Sequence, residues 1–195
     1  MKEQQNKKTV FFEKHVALGA KMVDFAGWSM PVNYKQGIIR EHLNTRRNAG
    51  LFDVSHMGRF TIKGNGALAF LQHVLTNDAA ALPTGRGQYT IIPDEEGGAV
   101  DDAYLYRFFD DEYLLVVNAS NRKKDWQRLQ ELKKQFGRVK LEDCTRELCM
   151  LSLQGPKSKV ILSAIMDGGH LPEPLRNSLS TVQISGRRVF VARTG

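Results

Sequence analysis

The sequence predicts an α+β fold with mixed or antiparallel sheets and a ferredoxin-like central unit. Three observations lead to this prediction. Apolar residues make up 42% and charged residues 25% of the 195 residues, as in ordinary globular proteins. Residues 51–141 run strand, helix, strand, strand, strand, helix, strand, which favours an antiparallel or mixed sheet over a doubly wound parallel one. No internal repeat or Pro/Ser-rich linker divides the chain.

Helices are predicted where apolar residues recur every three or four positions between capping residues. The first helix covers 36–49, with the apolar stripe Ile38, Ile39 and Leu43 and the cap Gly50. The second follows the cap Asn65 and carries Leu68, Leu71 and Leu75. The third runs from the cap Ser120 to about Phe136, where Gly137 follows it, and the fourth covers 157–166. The third helix has a core stripe of Trp126, Leu129, Leu132 and Phe136.

Strands are predicted where apolar and polar residues alternate between turn residues. They cover 52–54, 60–62, 88–92, 100–108, 113–117, 139–141, 148–153, 181–184 and 188–192. Turns are expected at 94–98, 109–112, 154–156 and 185–186. Residues 51–141 are expected to form the ferredoxin-like unit, and residues 1–50 and 142–195 to join as parts of a first α+β domain.

Charge and hydropathy narrow the class of protein. The net charge of +7 favours anionic partners. No apolar run approaches the roughly 20 residues that a bilayer span requires, so no membrane association is expected. Residues 1–8 are polar and lack the apolar core of a secretory signal, which predicts a cytoplasmic protein.

Metal and nucleic-acid binding are not expected. Cys144 and Cys149 have neither redox nor zinc spacing, and the histidines are scattered. The basic stretch within 121–138 is interpreted as a solvated helix face, because the acids Asp125 and Glu131 interrupt it. No helix-turn-helix, zinc-finger or RNP-type pattern accompanies it, so no nucleic-acid partner is predicted.

Two carboxylates follow a glycine turn in Gly97-Gly98-Ala99-Val100-Asp101-Asp102. Successive strand side chains point to opposite faces, so only one of the two acids can point into the protein. From spacing alone, the pair is either a set of turn carboxylates that accept local amides or one buried carboxylate that binds or polarises an amine. Asn118, at the end of a strand, is likewise either a loop residue or an amide that binds a heterocycle edge.

An ordered series of motifs extends this interpretation. Phe25 to Tyr34 resembles the F-x-G-W-x-M-P-x-x-Y opening of the aminomethyltransferase family, the T-protein of the glycine cleavage system. The next blocks resemble those of the same family and lie in the same order: Glu41-His42 with Arg46, residues 49–58, Asn77-Asp78, residues 88–90, 97–102, 116–119 and 153–156. The resemblance spans about residues 12–195.

The resemblance implies an enzyme that transfers the one-carbon unit of an aminomethyl-dihydrolipoyl carrier protein to tetrahydrofolate and releases ammonia. Its partners would be the lipoyl carrier H-protein and folate, with tetrahydrofolate as substrate and the lipoyl group supplied by the carrier. The resemblance makes Asp101 the catalytic carboxylate. It also places Asp101, Asn118, Tyr89 and Met57 at the folate site. Combined with strand alternation, it predicts that Asp101 rather than Asp102 faces the pocket.

One departure from the family concerns length. Family members are about twice as long, so the chain is expected to be truncated before the C-terminal barrel and to lack the glutamate of a Y-T-G-E motif. It is expected to fold, to bind tetrahydrofolate weakly or not at all, and to be prone to self-association. The alternatives are a folate-dependent demethylase and a non-catalytic folate-binding module of the same fold.

Overall fold

The computed structural model describes residues 6–194. The helices are α1 Phe12–Ala17, α2 Ile38–Arg47, α3 Ala67–Val74, α4 Arg122–Lys133 and α5 Ser158–Ile165. The strands are β1 Lys7–Lys8, β2 Lys21–Phe25, β3 Trp28–Asn33, β4 Gly50–Asp53, β5 Gly58–Lys63, β6 Arg86–Pro93, β7 Ala99–Phe109, β8 Glu112–Val117, β9 Lys140–Asp143, β10 Leu151–Gln154, β11 Gly168–Gly169, β12 Ser178–Ile184 and β13 Arg187–Arg193. Residues 1–5 of the polar start lie outside the described part, as does Gly195.

The chain divides into two compact units, each built from two segments. Within the described residues, unit 1 comprises 6–56 and 148–164, and unit 2 comprises 57–147 and 165–194. The predicted boundaries differ in three places: residues 51–56 lie in unit 1, whereas residues 142–147 and 165–194, which were expected to join the first domain, lie in unit 2. The physical reason is strand pairing, because β12 bonds to β6 at Ser178↔Arg86 and to β13 along its whole length.

Unit 1 contains two small sheets. β3 lies between β1 and β2, and β4 pairs with β10 in antiparallel register. The β2–β3 turn consists of Ala26 and Gly27, both with positive φ, as a tight hairpin turn of this hand requires. The Asp24 carboxylate accepts a hydrogen bond of 2.9 Å from the Gly27 amide and fixes this turn. Element prediction missed α1 and β1 to β3.

Unit 2 is an antiparallel sheet in the order β11-β12-β6-β7-β8-β5-β9, with β13 beside β12. The strands β9-β5-β8-β7, with α3 and α4 as the two crossover helices, form the predicted ferredoxin-like arrangement, and β6 adds a strand to it. The predicted hairpins at 109–112 and 185–186 are confirmed.

The core of unit 2 lies between one face of this sheet and the helices α3 and α4. Its fully buried sheet residues include Phe60, Ile62, Leu105 and Leu115, and its helix residues include Phe70, Leu71 and Leu129. Burial of each such side chain stabilises the fold by about 1.5–3 kcal/mol. The predicted stripe of α4 is confirmed, since Leu129 and Leu132 are buried and Trp126 and Phe136 pack against them.

The predicted end and the predicted stripe of α2 are wrong. Gly50 begins β4, and α2 ends at Arg47 with Asn48 in the capping position. A Cβ on Gly50 would lie 2.3 Å from the Thr45 hydroxyl, so close backbone approach explains the glycine. The stripe residues Ile38, Ile39 and Leu43 are exposed, and α2 has no buried residue among those described.

The predicted caps Asn65 and Ser120 are also wrong. α3 begins after Gly66 and α4 after Asn121, and neither start has a side-chain capping bond in the described chain. The amide of Asn121 is directed at the Asp101 carboxylate instead. α4 ends at Lys133, three residues before the predicted end.

Candidate functional site

β7 points Asp101 into unit 2 and Asp102 outward. Asp101 is 6% exposed, whereas Asp102 is exposed to solvent. Their opposite orientation follows from the strand register, in which Ile92 pairs with Asp101 and Ile91 with Asp102. Asp101 is therefore the inward acid of the pair. That it faces a folate pocket, and its chemical role, stay predictions.

Hydrogen-bond donors converge on the Asp101 carboxylate from the loop after β8. The backbone N–H of Asn118 donates to Oδ2 at 3.2 Å, and the Asn118 side-chain amide donates to Oδ1 at 3.1 Å. The Asn121 side-chain amide donates to Oδ1 at 2.7 Å. Three donors on one carboxylate fix its orientation. Asn118 therefore orients the acid, and its amide also donates to Asp102 Oδ1 at 2.8 Å.

Asp125 is the site residue that sequence reasoning missed. It was interpreted as part of a solvated helix face, but it is 0% exposed and lies beside Asp101. The signal was present in the sequence, because Asp125 precedes Leu129 and Leu132 by four and seven positions and so shares their buried face. Burial, together with the neighbouring Asp101 carboxylate, raises the pKa of Asp125 to about 8.

The other two predicted site residues take different places. Met57 immediately precedes Gly58, which pairs with Val117, so Met57 lies at the same sheet end as Asn118. Tyr89 pairs with Tyr104 and therefore points to the sheet face opposite Asp101. The structure does not bring Tyr89 to the Asp101 carboxylate, and its predicted folate contact would have to come from the other face.

That other sheet face carries a row of aromatic side chains. Its members are Tyr89, Tyr104, Tyr106, Phe108 and Phe190, with neighbouring ring centroids 4.5–6.2 Å apart. Gly87 lies beneath the row, and a Cβ there would approach the Tyr104 ring to 2.6 Å. Burial raises the pKa of Tyr106, as do the neighbouring tyrosines, so its hydroxyl stays protonated. Tyr89 is 60% exposed and forms the open end of the row.

Unit 1 holds a separate polar cluster in which His15 contacts two residues of the motif blocks, Tyr34 and Asp53. His15 Nε2 lies 3.1 Å from Asp53 Oδ2, and His15 Nδ1 lies 2.7 Å from the Tyr34 hydroxyl. The Tyr34 amide donates to the Glu41 carboxylate at 2.7 Å. Burial raises the pKa of Tyr34, and the Glu41 and Asp53 charges add to the effect. These residues hold β3, β4, α1 and α2 to one another.

Other candidate chemistry is sparse in residues 6–194. They contain no group of three or more His, Cys, Asp or Glu placed to hold a metal. No helix in that range is long and apolar enough to cross a membrane. Cys144 is buried, and burial raises the pKa of its thiol. An open groove of about 670 Å³ lies along α4, and its lining residues are Trp126, Gln127, Gln130, Glu131, Lys133 and Lys134, without Asp101.

The fold and the site define an α+β protein with a large antiparallel sheet. One end of this sheet holds a buried carboxylate, Asp101, that accepts three hydrogen bonds. The chain belongs to the family of the GCVT N-terminal domain, whose model matches residues 11–195. It is 49% identical over 189 residues to the aminomethyltransferase of Thermus thermophilus, covering 97% of this chain and 53% of that protein. The aminomethyltransferase of Prosthecochloris aestuarii is also 49% identical, with 97% and 52% covered.

Solved structures agree with the family assignment. The crystal structure of the glycine cleavage system aminomethyltransferase T from Bartonella henselae superposes with a TM-score of 0.80 at 35% identity, covering 89% of this chain and 46% of that one. The heterotetrameric sarcosine oxidase from Corynebacterium sp. U-96 shares the fold at a TM-score of 0.57 and 20% identity, over 75% and 71% of the two chains. This chain spans about half the length of the curated relatives it matches.

Proposed function

We propose that this chain forms part of a tetrahydrofolate-dependent aminomethyltransferase of the glycine cleavage system. The donor would be the aminomethyl group on the dihydrolipoyl arm of the H-protein. Its carbon would form two bonds to nitrogens of tetrahydrofolate, while its bonds to sulfur and to the amino nitrogen break. The products would be 5,10-methylenetetrahydrofolate, ammonia and the reduced carrier.

The proposal rests chiefly on the buried Asp101 carboxylate. Family relatives at 49% identity bear the name aminomethyltransferase, and Asp101 lies in the block that resembles their catalytic motif. A carboxylate fixed by Asn118 and Asn121 needs no reorientation when positive charge develops as ammonia departs. It can also accept an N–H from the pterin, since Oδ2 receives one long bond of 3.2 Å among the described donors.

The remaining site residues would hold substrate rather than react. Asn118 and Met57 share the sheet end with Asp101, so they would contact the pterin beside it. Tyr89 would contact the substrate from the aromatic face. Positioning of the folate and the lipoyl arm would supply much of the rate. The net charge of +7 favours encounters with an acidic carrier protein and with a polyglutamate tail.

Asp101→Asn tests the proposal directly. It should be made in a protein that contains this chain together with the second half that its relatives have. The amide keeps the shape and removes the charge, so methylenetetrahydrofolate formation should fall by about 10²–10³-fold, the usual effect of losing one transition-state electrostatic partner. The measurement is single-turnover product formation with loaded carrier protein.

Asp111→Asn is the matched control. It makes the same chemical change at an exposed residue at the opposite end of the β7–β8 hairpin, so the rate should stay within about twofold. Unchanged product formation in Asp101→Asn would refute the proposal. Tetrahydrofolate binding without any product in the unaltered protein would favour the non-catalytic folate-binding module instead.

A further inference from the structure

Unit 2 contains a buried aspartate, Asp125, whose carboxyl oxygens lack hydrogen-bond donors among the described residues. Asp125 is 0% exposed, on the face of α4 that carries Leu129 and Leu132. Neither of its carboxyl oxygens receives a hydrogen bond from any donor in residues 6–194. A buried ionised carboxylate without donors costs several kcal/mol, so the group must be neutralised or paired.

The neighbouring group is itself an acceptor. The backbone N–H of Asp125 donates to the Asn121 carbonyl at 2.9 Å, and the Asn121 side-chain amide donates to the Asp101 carboxylate at 2.7 Å. Asp125 therefore lies one helical turn beyond a residue that contacts Asp101, and its carboxyl group is beside the Asp101 carboxylate. Two ionised carboxylates cannot donate to each other, so a hydrogen bond between them requires one proton. The donors are distributed unequally, because Asp101 receives three and Asp125 none among the described residues. The charge therefore resides on Asp101 and the proton on Asp125.

Besides Asp101, Lys124 is the charged residue that acts on Asp125 among those described. Asp101 faces it from β7, and Lys124 is the cation beside it on α4. The Lys124 ammonium donates to the Val100 carbonyl, and the nearby Arg122 is engaged by Asp143. From the loop after β8 come the neutral amides of Asn118 and Asn121. The buried residues of α3, the other helix on this face, are apolar: Ala67, Phe70, Leu71 and Val74.

We propose that Asp125 is a positioning residue that is held as the neutral acid and donates its proton to the Asp101 carboxylate, so that the pair carries a single negative charge. The proposal rests on the proposed function for its catalytic meaning, but its structural content stands on the pair alone. The neutral acid adds a fourth donor to the three that hold the Asp101 carboxylate. Loss of that proton would place two negative charges in one buried site and move Asp101.

The first test follows aspartate carboxyl groups by ¹³C NMR from pH 5 to pH 10 in the 195-residue chain. One carboxyl should titrate with a midpoint near 8. That signal should be absent in Asp125→Asn. It should persist in Glu131→Gln, which changes an exposed acid on the same helix. If no aspartate carboxyl titrates above pH 6, the shared proton does not exist and the proposal is overturned.

The second test measures pH profiles of kcat in the longer protein. The amide of Asp125→Asn can donate to Asp101 but cannot ionise, so the fall of kcat above pH 8 should disappear in this variant. Asp125→Ala has no donor and should lose at least about tenfold at pH 7. An alkaline fall in Asp125→Asn as steep as that of the unaltered protein would overturn the positioning role.

The two proposals fail in different ways. If Asp101→Asn leaves product formation unchanged, the proposed function is wrong, while the carboxyl titration still decides whether Asp101 and Asp125 share one proton. If Asp101→Asn is inactive but no carboxyl titrates near pH 8, the enzyme assignment stands and the shared proton is wrong.

Discussion

Two buried aspartates, one in each unit, show that burial alone does not decide the charge of an acid. The Asp53 side chain in unit 1 is 1% exposed, and Asp125 in unit 2 is 0% exposed. Asp53 accepts the Ser55 backbone N–H at 2.9 Å and contacts His15 Nε2 at 3.1 Å. Asp125 receives no donor from the described residues and has another carboxylate as its neighbour.

The pKa shifts of these two acids have opposite signs for this reason. Burial would raise the pKa of Asp53, but the polar Thr9, Ser55 and His15 around it outweigh burial and lower the pKa from its ordinary 3.8. Burial and Asp101 raise the pKa of Asp125 to about 8. Asp53 therefore stabilises the fold above pH 3.8 and loses this contribution as pH falls through its folded pKa. Stability linked to Asp125 declines as pH rises from 3.8 to about 8.

The largest effect is expected for Asp53→Ala. It leaves the Ser55 amide and the His15 ring without their buried partner, and each orphaned group costs about 1–3 kcal/mol. We expect the free energy of unfolding of unit 1 to fall by about 3 kcal/mol at pH 7, measured by urea denaturation. The difference from the unaltered protein should shrink below pH 3.8, because Asp53 loses its charge there. A loss of unfolding free energy that is as large below pH 3.8 as at pH 7 would contradict the comparison of Asp53 with Asp125.

Asn121→Ala should have an intermediate effect. It removes the 2.7 Å donor to Asp101 and leaves the other two in place. The expected loss in the free energy of unfolding is about 1.5–2 kcal/mol, the lower end of the range for one hydrogen bond to a charged group. Asn65→Ala is the control, since Asn65 is exposed and caps no helix; its loss should be below about 0.5 kcal/mol. Equal losses in the two variants would mean that the donors do not hold the Asp101 charge.

The smallest effect is expected for Asp102→Asn. This residue is exposed, and the asparagine oxygen can still accept the Asn118 amide. The free energy of unfolding should change by less than about 0.5 kcal/mol between pH 5 and pH 9. Thermal unfolding across that range provides the measurement. A loss as large as that of Asn121→Ala would show that the outer carboxylate, and not the buried one, organises the loop after β8.

The parts of the fold that the sequence predicted depend on local pattern. The α4 stripe and the 185–186 hairpin have helical spacing and turn residues that are visible within a dozen positions. β1 and β2 were missed because buried and exposed residues do not alternate in them, and β3 was missed because it contains Pro31, which argues against a strand. The place of residues 165–195 depended on the β12–β6 pairing, which joins Ser178 to Arg86, and no local pattern reports such a contact.

The site was partly predictable for the same reason. Strand alternation, together with the family resemblance, separated Asp101 from Asp102. Asp125 was missed because a charged residue among lysines is usually solvated, although it shares the helix face of Leu129. Tyr89 lies on the sheet face opposite Asp101 because it pairs with Tyr104, and the sequence does not specify this register.

The division of unit 1 into two segments has a consequence for biosynthesis. The Ser55 hydroxyl bonds to the Met150 carbonyl, 95 positions further along the chain, and β4 pairs with β10 in the same region. A ribosome adds about 5–20 residues per second, so β4 stays unpaired for roughly 5–20 s until β10 has been synthesised. Throughout that interval Leu51 and Phe52 belong to an unpaired apolar strand on the nascent chain. Unpaired apolar strands of this kind are prone to aggregation until their partner strand has been synthesised.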